Sequence, residues 1–207
     1  MMIRHGQAVM RRRQKSLVII DLPAGSYEKS PRQALASANR ILDETGADGV
    51  KIEGGRGMVD HVALLVGSGI DVLAHIGLLP QHVLSSSGFR ITGRTTEEAL
   101  QLSADASALC QAGVFGIVME GIIEPVAASI ASDCSVPTIG IGASPACDGQ
   151  ILVTEDILGL YDTFTPKFVE KFANLQNDIR DAAAAFQQAV VSETFPQKEH
   201  LFWPKNK

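Results

Sequence analysis

The sequence predicts an α/β fold of the (β/α) barrel type, in which parallel strands alternate with helices. Apolar runs that stop at a polar residue or a glycine recur along the chain, and segments with helical patterning separate them. Alternation of this kind is typical of a parallel sheet. The runs are continuously apolar and carry polar residues only at their carboxyl ends, which is the pattern of a barrel whose active site lies on that rim.

Six apolar runs are the candidate strands of this fold. They lie near Leu17, Val50, Val72, Phe115, Thr138 and Ile151. Two of the intervening helices have clear starting signals. Ser30-Pro31 is a good N-cap and first-turn pair for a helix over residues 30–44, and Thr95 begins a helix over residues 95–111.

The patterning changes after Leu160. Residues 167–191 have a largely helical pattern, which includes the alanine-rich run 181–185. We therefore expect a single β/α-barrel domain over residues 1–207, with barrel units over 1–160 and a C-terminal helical extension over 161–207.

One strand carries two charges next to a pair of glycines. Side chains two apart in a strand point the same way, so Lys51 and Glu53 should project toward one interior. Gly54 and Gly55 would let a ligand approach the backbone closely. These residues alone fit a ligand site or a partly solvated ion pair equally well. Recurrence of polar strand ends, at Asp21, His75 and Glu120 among others, favours the site.

Composition narrows the class of protein. With 207 residues, of which 45% are hydrophobic, the chain can bury one substantial core. A formal net charge of −5 argues against nucleic acid as a partner. No apolar run approaches the roughly 20 residues that span a bilayer. The three cysteines lack metal-ligand spacing, which indicates reduced thiols and a cytoplasmic protein.

The motifs taken together resemble the ketopantoate hydroxymethyltransferase family, and they occur in the right order over nearly the whole chain. The matching motifs are Asp21-Leu22-Pro23, Val50-Lys51-Ile52-Glu53-Gly54-Gly55, His75-Ile76-Gly77-Leu78, Gly93-Arg94-Thr95, Val118-Met119-Glu120, Ile139-Gly140-Ile141-Gly142-Ala143 and Asp148-Gly149-Gln150.

The resemblance implies a TIM-type (β/α)8 barrel of the phosphoenolpyruvate/pyruvate superfamily. The implied enzyme acts in pantothenate and coenzyme A biosynthesis. It transfers a hydroxymethyl group from 5,10-methylenetetrahydrofolate to 3-methyl-2-oxobutanoate, giving ketopantoate by way of an enolate that Mg²⁺ stabilises. The resemblance also implies a homo-oligomer in the cytoplasm, whose partners are a small keto acid and folate.

Residue roles follow from the resemblance by position. Asp21 would bind both Mg²⁺ and substrate, and Glu53 would bind Mg²⁺ or hold one of its waters. Lys51 would meet the substrate's oxygens, His75 would contact the substrate, and Glu120 would be the general base. Three of these residues also have a purely structural interpretation: Asp21 could cap a turn, His75 could be a hydrogen-bonded core residue, and Glu120 could pair with a structural cation.

The chain departs from the family in its strand count. A (β/α)8 barrel needs eight strands, and only about six are recognisable. The resemblance implies that the first two β/α units of the family are not among these residues, since nothing in residues 1–15 matches the Gly-Asp-Ser motif that supplies another Mg²⁺ ligand in the family. Two alternatives therefore stay open: a catalytically impaired barrel fragment with a binding or oligomerisation role, or a related Mg²⁺-dependent keto-acid lyase or mutase.

Overall fold

A computed structural model describes residues 1–82, 90–161 and 164–204 of the chain. These residues form two compact units, Met1–Ile151 and Leu152–Lys207. The division at residue 160 and the assignment of a single domain stay predictions. Within the described ranges, no helix is both long and apolar enough to cross a membrane.

The first unit contains one parallel sheet with strands in sequence order, β1-β2-β3-β4-β5-β6. The strands are β1 Ile19–Asp21, β2 Gly49–Glu53, β3 Asp71–Gly77, β4 Gly116–Glu120, β5 Thr138–Ile141 and β6 Gly149–Gln150. Each strand pairs in parallel with the next. This arrangement confirms the predicted α/β fold and its six strands. Two strands are shifted from their predicted positions. The run predicted near Leu17 forms β1 only from Ile19 onward, and the run predicted near Ile151 corresponds to β6, which ends at Gln150.

Four helices connect β1 to β5, as the alternating pattern predicts: α2 Pro31–Thr45, α3 Val59–Gly67, α4 Thr96–Gln111 and α5 Glu124–Asp133. Helix α1, Met2–Met10, precedes β1, and α6 Thr154–Leu158 and α7 Leu175–Val191 follow β6. Short 3₁₀ turns occupy Arg56–Met58, Pro80–His82 and Lys198–His200.

Both predicted helix starts are confirmed by side-chain caps. The Ser30 hydroxyl accepts the backbone N–H of Gln33 at 3.2 Å, and the Thr95 hydroxyl accepts that of Glu98 at 3.1 Å. Each hydroxyl thus pairs a donor that the first helical turn leaves without a partner.

The helix predicted over residues 167–191 is shorter than its pattern suggests, since α7 begins only at Leu175. The backbone N–H groups of Phe172 and Ala173 both donate to the Ile157 carbonyl, at 2.9 and 3.2 Å. These donors are used between segments of the second unit, so they do not form the helical i→i−4 bonds that residues 167–174 would need.

The core of the first unit is built from strand residues that pack against the connecting helices. Strand β2 is largely buried: Val50 and Ile52 have no exposed surface, and Glu53 is 2% exposed. A parallel strand covered on both faces is expected to be this apolar. A charged side chain at the end of such a strand therefore needs partners, and the neighbouring strand ends supply them.

Candidate active site

The strand register brings the carboxyl ends of β1 to β4 together. Asp21 on β1 stands opposite Lys51 on β2, and Glu53 stands opposite His75 on β3. Further along β3, Gly77 stands opposite Glu120 on β4. All five charged or titratable residues predicted for the site therefore lie on one edge of the sheet.

Gly77 allows β3 and β4 to approach each other at this edge. It has a φ of +96°, and a Cβ at this position would collide with the Glu120 carbonyl. Glycine is the residue that adopts such a conformation without strain. In the family-like motif His75-Ile76-Gly77, glycine is therefore needed for the close packing of the two strands, and His75 is the candidate contact to the substrate.

Lys51 lies at the centre of the cluster. Its Nζ is 2.6 Å from Asp21 Oδ2, 3.2 Å from His75 Nδ1 and 4.0 Å from Glu53 Oε1. The closest carboxylate to Lys51 is therefore that of Asp21, across the strand pair. Glu53, two residues along the same strand, is the more distant partner.

His75 links Lys51 to Glu120. It is only 2% exposed, and its Nε2 lies 3.3 Å from Glu120 Oε2. A lysine ammonium has only donors, so a hydrogen bond from Lys51 requires His75 Nδ1 to accept. In neutral His75 the proton then resides on Nε2, the nitrogen that faces the Glu120 carboxylate.

Asp21 has an unused ligand atom. Its Oδ1 is buried and has no hydrogen-bond partner among the described residues. Burial raises the pKa of Asp21, while the nearby Lys51 ammonium acts in the opposite direction. A buried carboxylate oxygen is costly to leave unpaired, so this atom is a natural place for a cation or a substrate donor.

Glu53 is held by groups on both sides of its strand. The Tyr27 hydroxyl donates to the Glu53 carbonyl at 3.3 Å and accepts the Glu53 backbone N–H at 3.1 Å. The backbone N–H of Gln81 donates to Glu53 Oε2 at 3.2 Å. Burial raises the pKa of Tyr27, so the hydroxyl stays protonated and able to donate. The first family-like motif continues from Asp21-Leu22-Pro23 to Gly25-Ser26-Tyr27, but the sequence predicted no role for Tyr27.

The turn after Glu53 depends on a residue that sequence reasoning missed. Oδ1 of Asp105 accepts the backbone N–H of Arg56 at 2.9 Å and the Arg56 Nε at 3.2 Å. It also accepts Gln101 Nε2 at 2.8 Å. A Cβ on Gly55 would overlap this carboxylate, which explains why the second glycine of the motif is needed. Asp105 lies on α4, far from the strand ends in sequence, so no local pattern indicates its role.

The strand-end cluster offers two carboxylates, Asp21 and Glu53, as candidate ligands for a divalent cation. Across residues 1–82, 90–161 and 164–204, no three His, Cys, Asp or Glu side chains are grouped closely enough to form a metal cage. Mg²⁺ is usually held by only one or two protein carboxylates, with waters and substrate oxygens completing its shell. Asp21 and Glu53 both approach Lys51 Nζ, and Asp21 Oδ1 has a free lone pair. These carboxylates could hold Mg²⁺ if substrate and water supplied the remaining oxygens.

Sequence comparisons point to one family. A family model described as Ketopantoate hydroxymethyltransferase matches residues 1–198. The chain is 51% identical to the 3-methyl-2-oxobutanoate hydroxymethyltransferase of Rhizobium rhizogenes, over 99% of this chain and 75% of the relative. It is 50% identical to the enzyme of that name from Brucella canis, over 99% of this chain and 74% of that relative. It thus spans about three quarters of their length.

Comparisons with solved structures support the fold. A protein from Burkholderia cenocepacia J2315, provisionally described as a lyase/mutase, matches 99% of this chain and 72% of its own length, with a TM-score of 0.50 and 15% identity. Another protein from that organism, provisionally described as a phosphonomutase, matches 67% of this chain and 58% of its own, with a TM-score of 0.51 and 14% identity. At such low identity the likeness concerns the fold alone.

Proposed function

Because this chain belongs to the ketopantoate hydroxymethyltransferase family, an enzyme family, we propose that it transfers a hydroxymethyl group from 5,10-methylenetetrahydrofolate to 3-methyl-2-oxobutanoate, giving ketopantoate. The observation that carries this proposal is the continuous line of contacts from Asp21 through Lys51 and His75 to Glu120. It joins a candidate metal ligand, a cation for the substrate and a candidate base.

The proposed reaction begins with an anionic keto acid bound at the strand ends. The Lys51 ammonium attracts the carboxylate or keto oxygen as a point charge. Asp21 and Glu53 would hold Mg²⁺ beside it, and Asp21 Oδ1 is the atom best placed to act as a ligand because it is buried without a protein partner in the described ranges. A bound Mg²⁺ would supply positive charge where negative charge develops on the keto oxygen.

Glu120 is the proposed general base, which removes the proton from C3 of the substrate. Its side chain is 14% exposed at the end of β4, so the carboxylate is mostly shielded from water. His75 Nε2 lies 3.3 Å from this carboxylate, and a small movement of either side chain would allow a hydrogen bond between them. In the net reaction the deprotonated carbon bonds to the one-carbon unit, and both C–N bonds of that unit to the folate break. Water supplies the hydroxyl oxygen, and tetrahydrofolate leaves with the C3 proton and one proton of water on its two nitrogens.

Identity to the relatives supports the transferase over the two alternatives. About half of the residues are identical to hydroxymethyltransferases over 99% of the chain, whereas identity to the lyase/mutase structure is 15%. The residues to which we assign roles in the transfer also lie together, namely Lys51, Glu53, His75 and Glu120. This grouping supports an active enzyme over an impaired fragment. A cytoplasmic location, a homo-oligomer and a place in pantothenate biosynthesis belong to the same proposal.

Product formation tests this function directly. The protein is incubated with 3-methyl-2-oxobutanoate, 5,10-methylenetetrahydrofolate and Mg²⁺, and ketopantoate is measured by mass spectrometry. We expect product only when all three are present. Deuterium exchange at C3 of the keto acid, followed by NMR without folate, tests proton removal separately. Carbon–carbon cleavage of the keto acid, with no folate-dependent product, would support the lyase; neither exchange nor product would support the impaired fragment.

A further inference from the structure

Two of the three cysteines face each other, away from the strand-end cluster. Cys110 is the next-to-last residue of α4, and Cys134 directly follows α5. Their Sγ atoms are 4.0 Å apart, although the residues are separated by 24 positions in the sequence. Both are partly exposed, whereas Cys147 is buried. The packing of α4 on α5 therefore creates a thiol pair that the cysteine spacing does not reveal.

Small solutes have a route to this pair. Cys110 and Cys134 line a cavity of about 430 Å³ between the ends of α4 and α5. The lining also includes the polar side chains of Ser107, Gln111 and Asp133. A polar, water-accessible cavity can admit a small hydrophilic molecule, in contrast to the apolar environment of most buried cysteines.

We propose that Cys110 and Cys134 form a reversible intrachain disulfide when the protein meets a low-molecular-weight disulfide such as glutathione disulfide. A disulfide needs an S–S distance of about 2.0 Å, so the two sulfurs must approach by about 2 Å. Rotation of one or both side chains, together with small adjustments of the two helix ends on which they lie, would supply this approach.

The exchange proceeds in two balanced steps. The thiolate of one cysteine attacks the small disulfide, forms a mixed disulfide and releases one small thiolate, which takes up a proton. The second cysteine loses its proton and attacks the mixed disulfide at the protein sulfur, which forms the Cys110–Cys134 bond and releases the second small thiol. Two protein thiols are oxidised and one small disulfide is reduced.

Either cysteine can form the mixed disulfide, and the other is then positioned to resolve it, because the two sulfurs are already in contact. Burial raises the pKa of the Cys134 thiol, so we expect the exchange to be faster at alkaline pH.

The bond would enclose the strand that carries Glu120. Strand β4, Gly116–Glu120, lies between Cys110 and Cys134 in the chain. A cross-link over this segment reduces the conformational freedom of the unfolded chain. We therefore expect oxidation to stabilise this part of the first unit against unfolding.

Mass spectrometry of the full chain provides the test. The protein is incubated with mixtures of reduced glutathione and glutathione disulfide, remaining thiols are alkylated, and peptides are mapped without reduction. We expect a linked Cys110–Cys134 peptide, a free Cys147 and a higher urea midpoint, all reversed by dithiothreitol. Cys147→Ala should keep the linked peptide, whereas Cys110→Ser and Cys134→Ala should lose both the cross-link and the shift in midpoint.

The wild-type peptide map can overturn the proposal by itself, even if a cysteine variant fails to fold. A bond to Cys147, a link between two chains, or glutathione adducts without an internal bond would each contradict it. So would a linked peptide that forms only after denaturation, because the proposal depends on the packing of α4 against α5. Failure of ketopantoate formation would leave this outcome unchanged.

Discussion

At the scale of single residues, Lys51 organises the candidate site. Its ammonium contacts Asp21 Oδ2 and His75 Nδ1, and it is 4.0 Å from Glu53. Because Lys51 can only donate, His75 Nδ1 accepts from it and the proton of neutral His75 resides on Nε2, which lies 3.3 Å from Glu120 Oε2. Lys51 thus contacts the candidate metal ligand Asp21 directly and is connected to the candidate base Glu120 through His75.

We predict that Glu120→Gln removes C3 proton exchange and leaves keto-acid binding nearly unchanged. The amide keeps the shape and polarity of the side chain but cannot accept the proton, so the rate should fall by about 10²-fold or more. NMR in deuterated water measures exchange, and calorimetry measures binding. The exposed Glu97 on α4 provides the matched control, and Glu97→Gln should exchange at the wild-type rate. Wild-type exchange in Glu120→Gln would exclude Glu120 as the base.

We also predict that Asp21→Ala weakens Mg²⁺ and keto-acid binding together, because the keto acid is proposed to reach the protein partly through the ion. The loss should be at least about tenfold for each. Titration of Mg²⁺ with and without 3-methyl-2-oxobutanoate measures both. Asp43→Ala, at an exposed position on α2, is the control. Unchanged, metal-dependent substrate affinity in Asp21→Ala would reduce Asp21 to a turn residue.

At the scale of elements, the end of β2 is held in place by a residue on helix α4 and by a residue in the loop between β1 and α2. Asp105 on α4 binds the turn that follows Glu53, and Tyr27 binds the backbone of Glu53 itself. At the other side of the sheet, Asp148 accepts both the backbone N–H and the hydroxyl of Thr138, at 2.8 and 2.9 Å. The family-like Asp148-Gly149-Gln150 motif thus connects the start of β5 to β6.

Removal of the Asp105 carboxylate should weaken Mg²⁺ binding indirectly, through the turn that follows Glu53. Asp105→Ala leaves the Arg56 N–H without its acceptor and should destabilise the turn by about 1–3 kcal/mol. We expect a raised Mg²⁺ requirement at a nearly unchanged rate under saturating Mg²⁺. Asp105→Asn, which keeps an acceptor oxygen, should recover most of the loss, and Asp60→Ala on α3 serves as the control. A fall in rate with no change in Mg²⁺ requirement would contradict the positioning role.

Asp148 should contribute to acid sensitivity. Hydrogen bonds from Thr138 hold the pKa of Asp148 below its usual value of 3.8. The stability it provides is therefore complete above that value and is lost as the pH falls through the lower pKa of the folded state. Urea midpoints measured between about pH 5 and about pH 2 should fall less steeply for Asp148→Asn than for wild type. Asp43→Asn should keep the wild-type slope, and an equal slope in Asp148→Asn would contradict this prediction.

At the scale of the whole molecule, the number of strands in the sheet and the length of the chain relative to its relatives bear on activity. The described ranges contain six strands of the parallel sheet, with β1 and β6 at its edges. The chain covers 75% of the Rhizobium rhizogenes relative. Edge strands carry backbone donors and acceptors that can pair with further strands or with another chain.

We predict that these 207 residues, assayed as they stand, form ketopantoate more slowly than a version lengthened with the segment of the relative that they do not match. The physical reasons are that these residues contain no Gly-Asp-Ser motif, from which the resemblance implies a further Mg²⁺ ligand, and that the sheet has edge strands; both should weaken Mg²⁺ binding or favour association. Turnover, Mg²⁺ titration and light scattering measure the three effects. Equal turnover and equal Mg²⁺ affinity would show that Asp21 and Glu53 suffice.

The sequence alone determined three strand ends and two helix starts. Asp21, Glu53 and Glu120 close their strands as predicted, because an apolar run followed by a polar residue is a local signal. Strand β3 instead continues past its predicted end at His75 to Gly77. The cap of α2 at Ser30 is equally local, since the hydroxyl bonds to an N–H three residues away. The family motifs also named the residues of the candidate site before any contact was known.

Only the tertiary structure decided which of these residues touch. Lys51 is nearer to Asp21, 30 positions away, than to Glu53 on its own strand, because the parallel register sets Asp21 opposite it. Asp105 meets Arg56 across 49 positions, and Cys110 meets Cys134 across 24. Such contacts depend on how the whole sheet and its helices pack, and no local periodicity or cap carries that information.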